Sequence, residues 1–411
     1  MKRNFVFIII ILLTISAAGY FFYRTYFAGV GPALRSPSQD ITKLVPPASD
    51  SLPPAQNATD LPLKLPPGFS ISIFAKDLSG ARDMAFGDDG NMWVSRTKEG
   101  FITRLDIRNG VVFHQEDVLT NLRNPHGLAF DPKLPRLLYY SEEDKISYID
   151  LFSTGKPRKI IDLPAGGNHN YHSIRFGPDG RLYVKLGSTC NVCVEKDERR
   201  GTIYSMKSDG SDFKLFAKGL RNAPFMTFNP VDGKMWVTEM GRDFLGDDLP
   251  PDEINIIGSP SANSGQNPSD FGWPNCYGKN IHDTDFDKNT YIRNPCMEPF
   301  EIPSFVDIPA HSAPLGLAFV PSDSAWPEDY WYDLIVAYHG SWNRTVPTGY
   351  KVVRMKFDAK GNYQGVEDFM SGWLTSEGAL GRPVGALIQS DGIMYVSDDK
   401  AGVIYKVTYV H

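Results

Sequence analysis

The sequence predicts an all-β fold, a six-bladed β-propeller with an N-terminal transmembrane or signal segment. Three observations carry this. A phrase of strand, tight turn and strand recurs six times along the chain. Most copies are followed by a third strand-like run. The copies recur at roughly blade-length intervals, with one wider gap.

The first copy is Met84-Ala85-Phe86-Gly87-Asp88-Asp89-Gly90-Asn91-Met92-Trp93-Val94. The second starts at Leu128-Ala129-Phe130, and the third at Ile174-Arg175-Phe176 with its turn at Pro178-Asp179-Gly180. The fourth, fifth and sixth start at Met226, Leu317 and Ala386. Short apolar runs on either side of an Asp-Gly or Asn-Pro turn read as paired antiparallel strands. Third strands follow at residues 101–105, 202–206 and 403–407. The early alternating run Ser70-Ile71-Ser72-Ile73 is expected to complete the last blade and close the ring with both chain ends. The wide gap, about 258–308, reads as an insertion. A solenoid with free ends is the alternative, but its repeats are usually shorter.

Ahead of the repeats, Lys2-Arg3 precede an apolar run that extends to Phe22. A cationic flank followed by such a run is an export signature. Ser16-Ala17-Ala18 offers a cleavage site, whereas Tyr20-Phe21-Phe22-Tyr23 beside Arg24 suits an uncleaved anchor at a membrane interface. Residues 1–27 are therefore a signal anchor or a signal peptide, with the propeller extracytoplasmic, in a periplasm or at a cell surface. Residues 28–61, rich in Pro and Ser, read as a linker, and 62–411 as the propeller. Asn57-Ala58-Thr59 matches a glycosylation acceptor.

Hydrophobic residues make up 42% of the chain, enough for a substantial core, and the net charge of −6 argues against a nucleic-acid partner. The four cysteines allow three pairings. Cys190–Cys193 and Cys276–Cys296 are the local choices for disulfides in an oxidising compartment; redox thiols and a zinc site stay open as alternatives. Val194 after the second cysteine of Cys-x-x-Cys excludes the haem-attachment pattern, which needs a histidine there.

In a propeller the residues just before each inner strand converge on one mouth of the central channel. Here these are Asn124 and His126, then His169 on the glycine-flanked loop Gly166-Gly167-Asn168-His169, then Arg221 and Asn222, His311, and Arg382. Polar and charged groups at equivalent repeat positions mark a binding site.

These motifs resemble the PQQ-dependent (quinoprotein) glucose and sorbosone dehydrogenases from about Leu65 onwards. The resemblance rests on Gly167-Asn168-His169 ahead of the third blade, Gly219-Leu220-Arg221-Asn222 ahead of the fourth, and Glu239-Met240-Gly241-Arg242 followed by Asp252-Glu253-Ile254-Asn255 and Phe271-Gly272-Trp273-Pro274. His339-Gly340-Ser341-Trp342-Asn343-Arg344 and Gly381-Arg382-Pro383-Val384-Gly385 look more like the sorbosone-dehydrogenase branch.

The resemblance implies a six-bladed propeller that binds pyrroloquinoline quinone (PQQ) and Ca2+ at the channel mouth and oxidises a sugar or aldehyde by hydride transfer to the quinone. His169 is then the general base. Arg221 is the cation that stabilises charge on the quinone oxygen. Asn222, Arg344, Arg382 and His126 are cofactor contacts, and the main-chain carbonyls of Gly241 and Arg242 are calcium ligands. The electron acceptor would be a quinone or cytochrome in the membrane. The chain departs from the glucose branch at Asn168, where that branch carries an aspartate, and at Val384, where it carries an arginine. It also lacks that branch's blade-two glutamine, near which His126 lies, and its cofactor lysine, for which Arg344 is the nearest replacement. These departures argue against glucose itself as substrate. Two other functions fit a propeller with such a mouth: a non-catalytic module that binds a ligand or protein, and a metal-dependent lactone hydrolase.

Overall fold

A computed structural model describes residues 13–21, 55–153, 156–258, 268–298 and 301–409. Of the expected anchor or signal segment only 13–21 is described, and it is helical; the rest of it and most of the linker lie outside the described residues. Among the described residues no helix is long and apolar enough to cross a membrane.

The sheets follow the six phrases. Blades one to five begin with the inner strands Ala81–Phe86, Leu128–Phe130, Ile174–Phe176, Met226–Phe228 and Pro314–Phe319, and in each the first three strands pair antiparallel in chain order. Blade six begins with Pro383–Ile388 and is closed as expected. Its strand Val403–Tyr409 pairs with Phe69–Ala75 from the start of the propeller, and Gln56–Ala58 adds a parallel strand outside. Both amide hydrogens of Asn57 are donated inward, to the carbonyls of Leu61 (2.7 Å) and Leu63 (3.0 Å), so the matched glycosylation acceptor is occupied by its own turn.

Burial explains the sequence pattern. The second strands Leu137–Ser141, Leu182–Leu186, Met235–Glu239, Leu334–Tyr338 and Met394–Asp398 are buried at every residue. They are covered on both faces by neighbouring blades, so they read as apolar runs instead of alternating ones. The outer strand Val111–Leu119, with one face in water, is mostly exposed. The Asp-Gly turns are turns and nothing more. Asp89, Asp179 and Asp391 each accept the main-chain N–H two residues on, and Gly90, Gly180 and Gly392 take φ of 76°, 75° and 88°, which glycine adopts without strain.

One contact repeats from blade to blade. The residue paired with the middle of the inner strand is aromatic in five blades: Trp93, Tyr139, Tyr183, Trp236 and Tyr395. Blade five has Ile335 there. Four of these rings meet the phenylalanine of the next blade's phrase: Tyr139 with Phe176 (5.2 Å between centroids), Tyr183 with Phe228 (5.4 Å), Trp236 with Phe319 (5.3 Å), and Tyr395 with Phe86 (5.3 Å). The last joins blade six to blade one. Trp93, Trp236 and Tyr395 are thus packing residues, as their strand positions suggest.

Both local disulfides form, Cys190–Cys193 and Cys276–Cys296. The insertion leaves blade four after Asp252–Ile257, adds Ser269–Asp270 to the edge of blade three, and returns as Val306–Ile308, the outer strand of blade four. It braces two neighbouring blades at their outer edges. On the axis, Asp83 of blade one receives two 2.7 Å bonds from Arg175 of blade three and the N–H of Leu128 of blade two (2.9 Å), which ties three blades together beneath the mouth.

Trp236→Ala should remove a nearly fully buried ring and its contacts to the next blade, and lower unfolding stability by about 3–5 kcal/mol. Urea or thermal denaturation measures this, and a loss below about 1 kcal/mol contradicts the role given to the inter-blade ring contacts.

Candidate active site

His169 sits at the foot of the loop before blade three. Its Nδ1 lies 3.1 Å from the Ser188 carbonyl and 2.7 Å from the Ser188 hydroxyl. That hydroxyl donates its single hydrogen to the Cys190 carbonyl at 2.9 Å. Both oxygens facing Nδ1 are therefore acceptors, so Nδ1 carries the ring hydrogen and Nε2 keeps its lone pair. Ser188 orients the imidazole, whereas Asn168 is exposed and contributes its main-chain N–H to Thr189. The ring resists protonation. Burial first, then the charges of Arg221 and Lys185, pull its pKa down to about 2. His169 is thus a neutral acceptor at every pH near neutrality.

Gly187 lets this arrangement form. A Cβ there would lie 2.4 Å from the His169 carbonyl and 2.7 Å from Lys185 Nζ, so no other residue fits between the histidine and the lysine. Lys185 is 1% exposed, in the middle of an apolar strand. Its ammonium donates to Asn222 Oδ1 (2.6 Å) and the Tyr171 carbonyl (3.3 Å). Asn222 gives its main-chain N–H to Glu239 Oε1 (2.9 Å), and Glu239 Oε2 is buried without a partner. Burial drives Lys185 down and Glu239 up from their usual ranges.

Arg221 is buried and saturated. Nε donates to the Asn191 carbonyl (2.8 Å), Nη1 to the carbonyls of Gly241 (2.9 Å) and Met240 (3.2 Å), and Nη2 to Asn191 Oδ1 (2.9 Å) and Asp243 (3.2 Å). Arg382 of blade six donates to the carbonyls of His339 (3.1 Å) and Gly340, and lies over the Tyr350 ring. Arg344 is turned to the rim, where it holds the Asp247 and Ala310 carbonyls and Asp248. Arg242 pairs its side chain with Asp283 and Asp285 in the insertion.

The expected mouth residues fall into three groups. His169, Asn222 and Arg221 are brought together, and Arg382 lies across the channel from them beside Arg82. His126 is fully buried below, stacked on Tyr171 and pointing Nε2 at the Pro224 carbonyl at 3.4 Å. His311 is committed to the Gly246 carbonyl (2.8 Å) on the rim. Sequence reasoning missed four residues. Besides Ser188 and Lys185, these are Arg200, whose donors go to the carbonyls of Ala165, Gly166 and Gly187 under the His169 loop, and Asp399, which receives Arg82 (2.8 Å) and His339 (2.9 Å). A lysine inside an otherwise apolar central strand was the one available signal.

Charge decides what such a mouth can hold. Lys185, Arg200 and Arg382 have only neutral oxygens as partners among the described residues. Carbonyls fix a cation's direction without cancelling its charge, and a buried cation short of counter-charge is costly. Burial accordingly lowers the pKa of Arg200 and of Arg382. The mouth is an anion-seeking surface beside a neutral imidazole with an open lone pair.

The neutral state of His169 has a measurable sign. Below pH about 6.5 the unfolded chain takes up a proton that the folded ring refuses, so the histidine costs stability progressively as pH falls from there towards 2. His169→Asn should therefore gain on the wild type when urea melts at about pH 5 are compared with melts at about pH 8. The same stability difference at both values contradicts a ring held neutral.

Comparison with known proteins matches residues 63–410 to the model of the TrAA12-like family. An uncharacterized protein of Borreliella burgdorferi is 30% identical over 369 residues, 84% of this chain and 91% of that protein. The pyrroloquinoline quinone-dependent pyranose dehydrogenase of Coprinopsis cinerea is 24% identical over 400 residues, 82% of this chain. The chain spans about half the length of that relative (53%). Among solved structures, the calcium structure of the Trichoderma reesei Carbohydrate-Active Enzymes Family AA12 protein superposes with a TM-score of 0.72 at 18% identity, covering 86% of this chain and all of that one. These matches agree with the resemblance to PQQ-dependent dehydrogenases and do not single out the sorbosone-dehydrogenase branch. The chain belongs to the TrAA12-like family.

Proposed function

We propose that the protein is a PQQ-dependent oxidoreductase that oxidises a sugar or a related aldehyde at the channel mouth, with His169 as general base. The observation that carries this reading is the set of cations held by neutral oxygens beside the neutral imidazole. PQQ, with three carboxylates, supplies the missing anionic charge, and the residues present fit it. Lys185 and Arg382 are the cations for its carboxylates, and Asn222 is a further hydrogen-bonding partner. When bound, the quinone supplies the two-electron acceptor.

The chain's own residues do the rest. Nε2 of His169 takes the proton of the substrate hydroxyl, while Nδ1–H stays fixed on Ser188. Ser188 holds the tautomer without adding negative charge, so the imidazolium is short-lived and sheds its proton readily. Arg221, gripped by carbonyls on two sides, keeps its charge in one place and faces developing negative charge without reorganising. For Ca2+ the candidate ligands are the carbonyls of Gly241 and Arg242, which are oxygen donors of the right hardness. Gly241's carbonyl already accepts from Arg221, which leaves it one lone pair for a cation. The two disulfides suit an extracytoplasmic site. Export there through the N-terminal segment, and a quinone or cytochrome acceptor in the membrane, belong to the same proposal.

Purified protein incubated with PQQ and Ca2+ should reduce an artificial dye with some members of a panel of aldoses and aldehydes. His169→Ala should lower kcat by about 10²–10⁴-fold with PQQ binding retained. Arg382→Met should weaken PQQ binding by about tenfold or more, read by tryptophan fluorescence quenching. Turnover that survives His169→Ala, or PQQ binding indifferent to Arg382→Met, contradicts these assignments.

A further inference from the structure

The turn closed by Cys190–Cys193 does more than staple a loop. Asn191, between the two cysteines, makes four bonds with one amide and one carbonyl. Its carbonyl accepts from Arg221 Nε (2.8 Å), and its Oδ1 accepts from Arg221 Nη2 (2.9 Å) and from the main-chain N–H of Asp243 (2.8 Å). Its Nδ2 donates to the Asp243 carbonyl at 3.0 Å. Asp243 in turn accepts from Asn343 Nδ2 at 2.6 Å. One blade-three residue therefore fixes the blade-four arginine and the blade-four loop that meets blade five. The turn is itself anchored. Glu195 accepts from the N–H and hydroxyl of Thr189 at 2.5 and 2.8 Å, and the Cys190 carbonyl accepts from Ser188, the residue that orients His169.

We propose that Asn191, held rigid by the Cys190–Cys193 bridge, is the positioning residue for Arg221 and Asp243, and that this bridged turn sets the geometry of the mouth across three blades. Of the five hydrogen bonds Arg221 donates, Asn191 receives two, including the one at Nε that fixes the plane of the guanidinium. Asp243 alone cannot set that plane, since its carboxylate meets Nη2 at 3.2 Å and its main chain is itself held by Asn191. The part of this inference that concerns turnover rests on the function proposed above; the part that concerns placement does not.

The test has two arms. In the first, hydrogen exchange on the protein without added cofactor follows the Asp243 amide. Asn191→Ala should raise its exchange about tenfold, the equivalent of one lost hydrogen bond, while the blade strands keep their protection. Mild reduction of the folded wild type is the second perturbation and needs no refolding. Cys190–Cys193 is half-buried and opens, whereas Cys296 is fully buried and its bridge is protected. The same rise at Asp243 is expected. In the second arm, with PQQ and Ca2+ present, Asn191→Ala should lower kcat about tenfold with little change in KM, because it removes an interaction of the transition state. Placed on an Arg221→Met background it should add nothing further. Unchanged Asp243 exchange in both perturbed proteins overturns the placement, and additive effects of the two substitutions overturn the route through Arg221. If the wild type shows no PQQ-dependent turnover, the proposed function fails, and the exchange arm still decides the role of Asn191.

Discussion

A cation removed from water needs either an acid beside it or a ligand that brings one. Among the described residues the side chains of Lys185, Arg200 and Arg382 donate hydrogen bonds only to amide and carbonyl oxygens, which orient them without cancelling their charge. The rest of the mouth follows from that constraint. His169 is neutral because it is out of water and near the charges of Arg221, Lys185 and Arg200. Glu239, the acid that acts most strongly on Lys185, is driven towards its protonated form by burial and by Glu253, directly opposite it on the neighbouring strand. An anionic ligand is the missing member of the set.

The propeller makes such a site stable. Ring contacts at four of the six blade junctions, with the ring closed by Tyr395 on Phe86 and by Phe69–Ala75 on Val403–Tyr409, give the chain a frame that does not depend on the mouth. Unpaired charge can then be concentrated at one end of the channel, while the interior is supplied by repeated apolar strands. The axial pair Asp83–Arg175 below the mouth is the contrasting case, with a half-buried arginine paired by two bonds to a buried carboxylate.

Much of this was legible in the sequence, because the repeated phrase carries physical requirements that few other folds share. Glycine after aspartate, phenylalanine before it and an aromatic after it are each demanded by a turn or an inter-blade contact. The convergence of His169, Arg221 and Asn222 also followed from repeat position alone. What escaped was the wiring. Ser188 orients His169 from the far end of the neighbouring strand, and nothing in Gly187-Ser188-Thr189 announces it. His126 and His311 looked equivalent to His169 by position, yet each points its Nε2 at a main-chain carbonyl, that of Pro224 and that of Gly246. Position in a repeat places a residue at the mouth; only the surrounding oxygens decide whether its polar atoms are free to work.

The central claim is that the mouth is a built receptor for a multiply charged anion. Isothermal titration of the folded protein with PQQ at two ionic strengths tests it most directly. One-site binding that weakens as salt screens the charges is the expected result. Absence of binding at micromolar PQQ, or binding indifferent to salt, would contradict it.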